Sequence, residues 1–225
     1  MKSSMIPIFD LDDTLYPELT FVHSGFQAVA GYLELNFGIA SSDSFEFMLN
    51  SLKSDGRGAV FNSLLNHHGM NSNIMVKKCV SVYRNHTPNI SLNTDAQDFL
   101  GSIQGPVFLV TDGNKLVQAK KVDALKLESS FTKIYITHRY GIHNCKPSTH
   151  CFELIRESLK CKWTDLIYVG DNPSKDFVNL KPLGVNTVRI LTGEYSKVIA
   201  KPNFDADTHI QSLAQLKSLF KLDLL

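Results

Sequence analysis

Residues 5–16 read MIPIFDLDDTLY and join a short apolar run to a cluster of acidic residues. The run from Met5 to Phe9 is typical of a strand that is buried on both faces of a sheet. Asp10, Asp12 and Asp13 follow it directly, and ligands bind beyond the carboxyl ends of the strands in an open parallel sheet. Because neighbouring carboxylates repel one another, this cluster predicts a hard, oxygen-binding cation such as Mg²⁺ between Asp10 and Asp12. An acidic loop that caps the next helix is the alternative interpretation.

Four later apolar runs predict further strands, and segments with helical periodicity lie between several of them. This alternation indicates a parallel sheet joined by crossover helices. The stretch from about Leu19 to His86 breaks the alternation and predicts several helices instead. The predicted strands are residues 107–110, 133–136, 166–169 and 185–190, and the predicted helices of the second half are 115–126, 149–159 and 211–220. The predicted fold class is therefore α/β, with a core that a helical insertion interrupts after the first strand.

Composition narrows the class of protein. The chain has 225 residues, 43% of them hydrophobic, and its 23 Lys and Arg nearly balance its 22 Asp and Glu. That length and apolar content suffice for a substantial core. The balanced charge offers neither the basic footprint of a nucleic-acid binder nor a polybasic patch for a membrane surface. The local cluster of Lys115, Lys120, Lys121 and Lys126 is interpreted as a solvated helix face.

The first residues and the cysteines bear on location. Carboxylates stand where a signal peptide needs its apolar stretch, so we expect a cytoplasmic protein without membrane spans. The four cysteines form no CxxC pair and are predicted to be reduced thiols. Zinc ligation by Cys145 and Cys151 with His143 or His150 is conceivable, but the spacing fits no common zinc pattern.

A second acidic pair follows the predicted strand at residues 166–169. Residues 170–176 read GDNPSKD, so Asp171 leaves the strand end and Asp176 returns at the start of the next predicted helix. Both carboxylates can then reach one ion. An Asx-turn that caps this helix is the alternative.

Thr111 and Lys146 are predicted to lie at the same edge of the sheet. Thr111 ends a strand, and the turn that follows it can bind an anion through backbone N–H groups at the start of the next helix. Lys146 precedes Pro147, which suits the first turn of a helix. Alone, Thr111 would be a helix cap and Lys146 a surface charge, but their joint occurrence with the acidic pairs points to one site.

These residues resemble the four motifs of the haloacid dehalogenase (HAD) superfamily of phosphotransferases. Motif one is Asp10-x-Asp12-x-Thr14, motif two is Thr111, motif three is Lys146, and motif four is Gly170-Asp171 with Asp176. The resemblance spans residues 10–176 and implies a Rossmann-like parallel sheet core with a small all-helical cap domain. It assigns residues 1–16 and 91–225 to the core and residues 17–90 to the cap.

The resemblance also implies a role for each matching residue. Asp10 would be the nucleophile that forms an aspartyl-phosphate, and Asp12 would protonate the leaving oxygen and then activate water. Mg²⁺ would be held by the Asp10 carboxylate, the Asp12 backbone carbonyl and Asp171, with Asp176 supporting the ion or its waters. The phosphoryl oxygens would be bound by Thr111, Lys146 and the backbone amides of Asp12, Asp13 and Asp112.

The implied activity is that of a Mg²⁺-dependent phosphatase. Within the family, a carboxylate two residues after the nucleophile marks phosphatases and phosphomutases, so the expected partner is a small phosphate ester. Residues around the acidic motifs are similar to the pyrimidine 5′-nucleotidase branch, and both a nucleoside monophosphate and a sugar phosphate remain open as substrates. A phosphomutase, with His23 as its cap histidine, and a weakly active binding or regulatory module are the alternatives.

Asp112 departs from the family pattern, in which the motif-two residue is often followed by Asn-Gly or Ser-Asn. Its carboxylate would repel a phosphate if it pointed into the site. We therefore expect Asp112 to turn outward or to pair with a neighbouring cation such as Lys115.

Overall fold

A central sheet of six parallel strands organises the molecule, which a computed structural model describes over residues 4–224. The strands lie in the order β3-β2-β1-β4-β5-β6, so the chain's first strand lies inside the sheet. Their bounds are Ile6–Phe9 for β1, Phe108–Thr111 for β2, Lys133–Ile136 for β3, Leu166–Gly170 for β4, Asn186–Ile190 for β5 and Thr208–Ile210 for β6. The predicted α/β class is confirmed.

Apolar side chains on the sheet explain why these strands pair. The strands β2 and β4 are buried along their whole length, as expected when helices cover both faces of a parallel sheet. Ile8, Val110 and Tyr168 from three adjacent strands pack with Phe152 and Phe177 in one core cluster. The helices of this part of the chain are α5 (Thr94–Ser102), α6 (Lys115–Ala124), α7 (His150–Leu159) and the short α8 (Leu216–Leu219).

The strand order reverses at β1. From β1 the sheet extends through β2 and β3 on one side and through β4, β5 and β6 on the other. Phe9 pairs with Leu109 of β2 and with Val169 of β4, so the three strands end at nearly the same level. A reversal of this kind opens a crevice at the carboxyl ends of the strands, where ligands bind in such folds.

The chain divides into two compact units. One comprises the described residues up to Glu18 and from Ser91 onward, and contains the sheet; the other is Leu19–Ile90. The second unit contains α1 (Glu18–Phe37) from its second residue onward, α2 (Ser41–Asp55), α3 (Val60–His67) and α4 (Asn73–Asn85). Its own apolar cluster includes Phe26, Leu33, Met48, Leu64 and Cys79.

Three local predictions are wrong. The sequence predicts a helix over residues 211–220, but a sixth strand ends at Ile210 and only Leu216–Leu219 form an α-helix. No α-helix begins at Asp176 either: residues 173–180 form turns and bends, and the Asn172 side chain accepts hydrogen bonds from Ser174 in the first of these turns. Pro147 lies in a turn ahead of α7 rather than in its first helical turn.

Over residues 4–224, no helix has the length and apolar character needed to cross a bilayer.

Candidate active site

Three strand ends bring the site together. Asp10 follows β1, Thr111 is the last residue of β2, and Asp171 follows β4. The Asp10 backbone N–H still donates to the Val169 carbonyl over 2.8 Å, so the first acidic residue is held by the sheet itself. Parallel pairing therefore converts a separation of about a hundred residues along the chain into neighbouring positions at one edge.

Asp10, Asp171 and Asp176 form a compact acidic group. One carboxylate oxygen from each residue lies within 4.8 Å of the others, and all three residues are buried. Burial, reinforced by the neighbouring carboxylates, raises the pKa of Asp10 to about 6 and that of Asp171 to about 9. Three buried carboxylate oxygens at this spacing fit a hard divalent cation, which takes oxygen ligands.

Lys146 lies beside this acidic group. Its Nζ is 2.9 Å from Asp10 Oδ1, 2.7 Å from Asp176 Oδ1 and 2.8 Å from the Tyr168 hydroxyl. Burial disfavours the ammonium, but Asp10 and Asp176 more than offset it and raise the pKa of Lys146 well above its usual value. Lys146 is therefore a fixed cation at the site, and its three N–H groups are all engaged.

Tyr168 is a site residue that the sequence analysis missed. It lies in the middle of β4, where its ring packs on Phe152 and Phe177 and its hydroxyl donates to Asp176 Oδ1 over 3.1 Å. The residue type could have indicated this role, because a tyrosine in a fully buried strand needs a polar partner for its hydroxyl. The sequence analysis treats Tyr168 as one member of an apolar run, so it does not predict the hydrogen bond between Tyr168 and Lys146.

The Asp12 side chain lies outside the acidic group. Its carboxylate accepts hydrogen bonds from Lys121, Gln118 and the Tyr16 hydroxyl. Burial acts in the opposite direction, but these donors, with Lys121 foremost, hold the pKa of Asp12 below its usual range. The interpretation of Lys121 as part of a solvated helix face is wrong, because Lys121 is only 2% exposed and forms an ion pair with Asp12.

Thr111 presents a buried hydroxyl at the end of β2. The residue is fully buried, and its Oγ1 has no hydrogen-bond partner among the described residues. A buried hydroxyl without a partner is costly, which favours a ligand as its missing partner.

Asp112 ties the loop of Lys146 to the sheet. Its Oδ1 accepts hydrogen bonds from the Thr137 hydroxyl over 2.5 Å and from the Lys146 backbone N–H over 3.1 Å. Its Oδ2 lies 3.5 Å from Lys175 Nζ, so the expected pairing with a cation is observed, but the cation is Lys175 rather than Lys115. Burial is outweighed by Lys146 and Lys175, which lower the pKa of Asp112.

A loop after β5 packs against the acidic turn after β1. The Thr192 hydroxyl donates to the Asp13 carbonyl, and the Glu194 backbone N–H donates to Asp13 Oδ2 over 3.2 Å. The other carboxylate oxygen of Asp13 accepts from the Glu18 backbone N–H over 2.8 Å. Asp13 therefore fixes the backbone next to Asp12 and does not point toward the acidic group.

The other candidate ligands lie elsewhere. Across residues 4–224, the acidic group is the one set of three or more His, Cys, Asp or Glu side chains placed to share an ion. Cys145 and Cys151 with the nearby histidines do not form such a set within that range. His23 lies in the helical unit, with its ring against that of Phe45.

Comparison with known proteins provides evidence on the family of this chain. A family model described as haloacid dehalogenase-like hydrolase matches residues 7–190. The chain is 26% identical over 228 residues to the glyceraldehyde 3-phosphate phosphatase of Methanocaldococcus jannaschii, covering 95% of this chain and 96% of that protein.

Solved structures show the same fold. The HAD-hydrolase YfnB of Bacillus subtilis, bound to magnesium, superposes with a TM-score of 0.70 at 16% identity, over 97% of this chain and 99% of that one. A 2-haloacid dehalogenase from Pseudomonas syringae gives a TM-score of 0.65 at 19% identity, over 96% and 98% of the two chains. Because proteins with different reactions share this fold, the reaction has to be argued from the side chains.

Proposed function

The chain belongs to the haloacid dehalogenase-like hydrolase family, and we propose that it is a Mg²⁺-dependent phosphatase that hydrolyses a small sugar phosphate through an aspartyl-phosphate on Asp10. Asp10 is the proposed nucleophile because its carboxylate lies at the end of β1, in contact with Lys146 and beside two further carboxylates. The proposed helical cap is the unit Leu19–Ile90.

The observation that carries this proposal is the carboxyl group of Asp12 two residues after the nucleophile. A halide leaves as a stable anion and needs no proton. The alkoxide of a sugar is a poor leaving group, and a carboxylic acid that protonates it accelerates its departure. Asp12 supplies a group of that kind, which favours a phosphate ester over a haloacid as the substrate.

The reaction would proceed in two displacements. In the free protein the Asp12 carboxylate is paired with Lys121, so it would take up a proton from water when the ester binds. In the first displacement, an Asp10 oxygen attacks phosphorus, the ester P–O bond breaks, and the leaving oxygen takes this proton from Asp12. In the second, Asp12 takes a proton from water, the water oxygen attacks phosphorus, and the bond between phosphorus and Asp10 breaks. Inorganic phosphate leaves and both aspartates return to their initial states.

The buried acidic group supports the metal requirement. Asp10, Asp171 and Asp176, with the backbone carbonyl of Asp12, would hold Mg²⁺. When bound, the ion would screen the charge of the nucleophile from that of the phosphate. The structural relative YfnB is itself described as bound to magnesium.

The phosphoryl group would be bound by Thr111 and Lys146, with backbone amides of Asp12, Asp13 and Asp112 as further donors. The unpartnered hydroxyl of Thr111 supports this role directly. The three N–H groups of Lys146 already contact Asp10, Asp176 and Tyr168. A phosphoryl oxygen would therefore replace one of these contacts.

The named relative indicates the substrate class. The glyceraldehyde 3-phosphate phosphatase of Methanocaldococcus jannaschii aligns with nearly the whole chain. We therefore place a triose phosphate ahead of a nucleoside monophosphate among the two classes that the sequence leaves open.

The test is phosphate release by the purified protein with Mg²⁺ and with EDTA. The panel contains glyceraldehyde 3-phosphate, dihydroxyacetone phosphate, phosphoglycolate, UMP and AMP, and the matched control is Asp10→Asn. We expect metal-dependent release from the triose phosphates and loss of at least about a thousandfold in the variant, because covalent catalysis depends on this carboxylate. Preferential release from nucleotides would overturn the substrate class. Full activity of Asp10→Asn would overturn the covalent route, and release from no ester would favour a mutase or a binding protein.

A further inference from the structure

The side chain of Lys175 connects two loops that flank the first strand. Lys175 belongs to the turn after β4, and its Nζ lies 3.5 Å from Oδ2 of Asp112 in the loop after β2. Because β1 lies between β2 and β4, the Lys175 side chain extends past the end of β1, where Asp10 lies. Burial raises the pKa of Asp10, and the charges of Lys146 and Lys175 oppose that rise. Lys175 is therefore within electrostatic reach of the proposed nucleophile.

The backbone that carries Lys175 is held in place by Asn172. The Asn172 carbonyl accepts hydrogen bonds from the backbone N–H groups of Lys175 over 3.3 Å and of Asp176 over 3.0 Å. The Asn172 backbone N–H donates in turn to Asp176 Oδ2 over 2.9 Å. The position of Lys175 is thus coupled to that of a proposed metal ligand, and an anchored backbone of this kind suits a binding residue.

The ammonium of Lys175 retains donors that Lys146 has already used. A lysine ammonium carries three N–H groups, and those of Lys146 are engaged at 2.7–2.9 Å. Within residues 4–224, the Lys175 ammonium has only the 3.5 Å contact with Asp112. An ion pair of that length between partly exposed groups contributes little, so it does not by itself explain a lysine at this position. The Lys175 side chain is 31% exposed, which leaves its ammonium accessible to a ligand.

The surrounding groups indicate the chemistry of that ligand. Thr111, directly before Asp112, has a buried hydroxyl without a partner among the described residues. A phosphoryl group at neutral pH carries about two negative charges and three acceptor oxygens, so several donors can bind it at once. It would also be repelled by the carboxylates around it, and a second accessible cation beside Lys146 would offset that repulsion. These carboxylates are Asp10, Asp112, Asp171 and Asp176.

We propose that Lys175 is a further catalytic residue, which donates a hydrogen bond to a nonbridging oxygen of the phosphoryl group. This inference rests on the phosphatase function proposed above. No bond to Lys175 forms or breaks, and its ammonium keeps its protons through both displacements. Lys175 would contact the phosphoryl group in the ester and in inorganic phosphate alike. Its removal should therefore weaken the binding of both more than it slows the chemical step.

The test measures the binding of inorganic phosphate by isothermal titration calorimetry in MgCl₂, together with kinetics on the best ester of the panel above. Lys175→Met removes the ammonium and nearly keeps the length of the side chain, whereas Lys175→Arg keeps the charge. We expect Kd for phosphate and KM for the ester to rise about tenfold in Lys175→Met, with kcat within about threefold of wild type. Lys175→Arg should keep Kd within about threefold.

A second background separates phosphate binding from neutralisation of Asp112. In Asp112→Asn the charge that faces Lys175 is gone, so a lysine that served only this charge would be dispensable there. We expect Lys175→Met to cause the same tenfold loss of phosphate affinity in both backgrounds. The matched control is Lys115→Met, which removes an exposed lysine at the start of α6 and should leave Kd within about twofold.

Three outcomes would overturn the role of Lys175: an unchanged Kd for phosphate in Lys175→Met, a loss confined to the background with charged Asp112, or an equal loss in Lys115→Met. Thermal unfolding shows whether each variant is folded, and Lys175→Gln replaces Lys175→Met should the latter not fold. A wild type that binds phosphate but releases it from no ester contradicts the proposed function, and calorimetry still decides whether Lys175 binds phosphate. An active wild type with an unchanged Kd in Lys175→Met contradicts only this inference.

Discussion

Removal of the buried Thr111 hydroxyl is predicted to lower activity without lowering stability. Thr111→Val keeps the shape of the side chain and removes the donor proposed for a phosphoryl oxygen. Loss of one such donor typically lowers kcat by about a hundredfold. The unfolding free energy should stay the same or rise by up to about 1 kcal/mol, because the hydroxyl has no partner among the described residues. Steady-state kinetics and urea unfolding measure the two effects.

Thr137→Val is the matched control for this prediction. Thr137 is equally buried, but its hydroxyl donates to Asp112 over 2.5 Å, so its removal should lower stability. Unchanged kinetics in Thr111→Val would show that the hydroxyl does not bind the substrate.

Asp112 is predicted to act through its acceptor oxygens rather than its charge. Asp112→Asn retains a side-chain oxygen for the Thr137 hydroxyl and the Lys146 N–H, and loses only the 3.5 Å ion pair with partly exposed Lys175. Its kcat should stay within a few-fold of wild type, because an ion pair of that kind contributes little.

Asp112→Ala removes both acceptors and frees the backbone that carries Lys146. We expect its kcat to fall more than about tenfold on the same substrate, measured with Mg²⁺. Similar rates in the Asn and Ala variants would contradict the role of the acceptor oxygens.

Charged residues of the site can be predicted from the sequence when they directly follow a strand. Asp10 and Asp171 are examples, because the sheet places every such residue at the same edge. The contact of Lys121 and Gln118 with the site cannot be predicted in this way. Their contact with Asp12 bridges more than a hundred residues and depends on the rotation of α6 about its axis, which periodicity alone does not determine.

At the scale of elements, the loop after β5 supports the acidic turn after β1 through a glycine. Gly193 has a φ of +62°, and a Cβ there would overlap the carboxyl group of Asp13. Gly193→Ala should therefore lower the unfolding free energy by about 1–3 kcal/mol and reduce phosphate release, since the turn carries the proposed acid. Urea unfolding and kinetics with Mg²⁺ test both effects.

Gly101 in α5 is the matched glycine for that experiment. A Cβ at Gly101 would meet no atom within 4 Å, and alanine favours a helix over glycine. Gly101→Ala should leave stability unchanged or raise it by up to about 1 kcal/mol. Equal stability of the two variants would mean that the loop after β5 adjusts freely.

The elements that the sequence predicts well are those with a strong apolar signal. The strands β1 to β5 are predicted to within a residue or two, because each contains β-branched or aromatic residues that are buried in the sheet. The strand β6 is missed because Thr208–Ile210 has only three residues and a single buried one. The turn after Asp171 is missed because local side-chain hydrogen bonds of Asn172 decide it, and helical spacing carries no information about them.

At the scale of the whole molecule, the acidic group should make stability depend on metal. Mg²⁺ that binds only the folded chain stabilises it by about 2.7 kcal/mol at a hundredfold excess over Kd. In a chain of 225 residues this corresponds to a rise in Tm of about 5–10 °C. We expect that rise for the wild type in MgCl₂, compared with NaCl of equal ionic strength, and its loss in Asp171→Asn. Thermal unfolding followed by circular dichroism measures both.

In the absence of metal, Asp171→Asn should be more stable than the wild type, which is the reverse of their order in MgCl₂. Burial raises the pKa of Asp171 to about 9 in the folded chain, well above the value of about 4 for an unfolded aspartate. A raised carboxyl pKa favours the folded state at low pH, and this contribution is lost as the pH rises toward the folded value. In EDTA at pH 8, Asp171→Asn should therefore be more stable than the wild type, and the difference should shrink as the pH falls to 6. A wild type that is more stable than the variant in EDTA at pH 8 would show that the three carboxylates do not destabilise the metal-free protein.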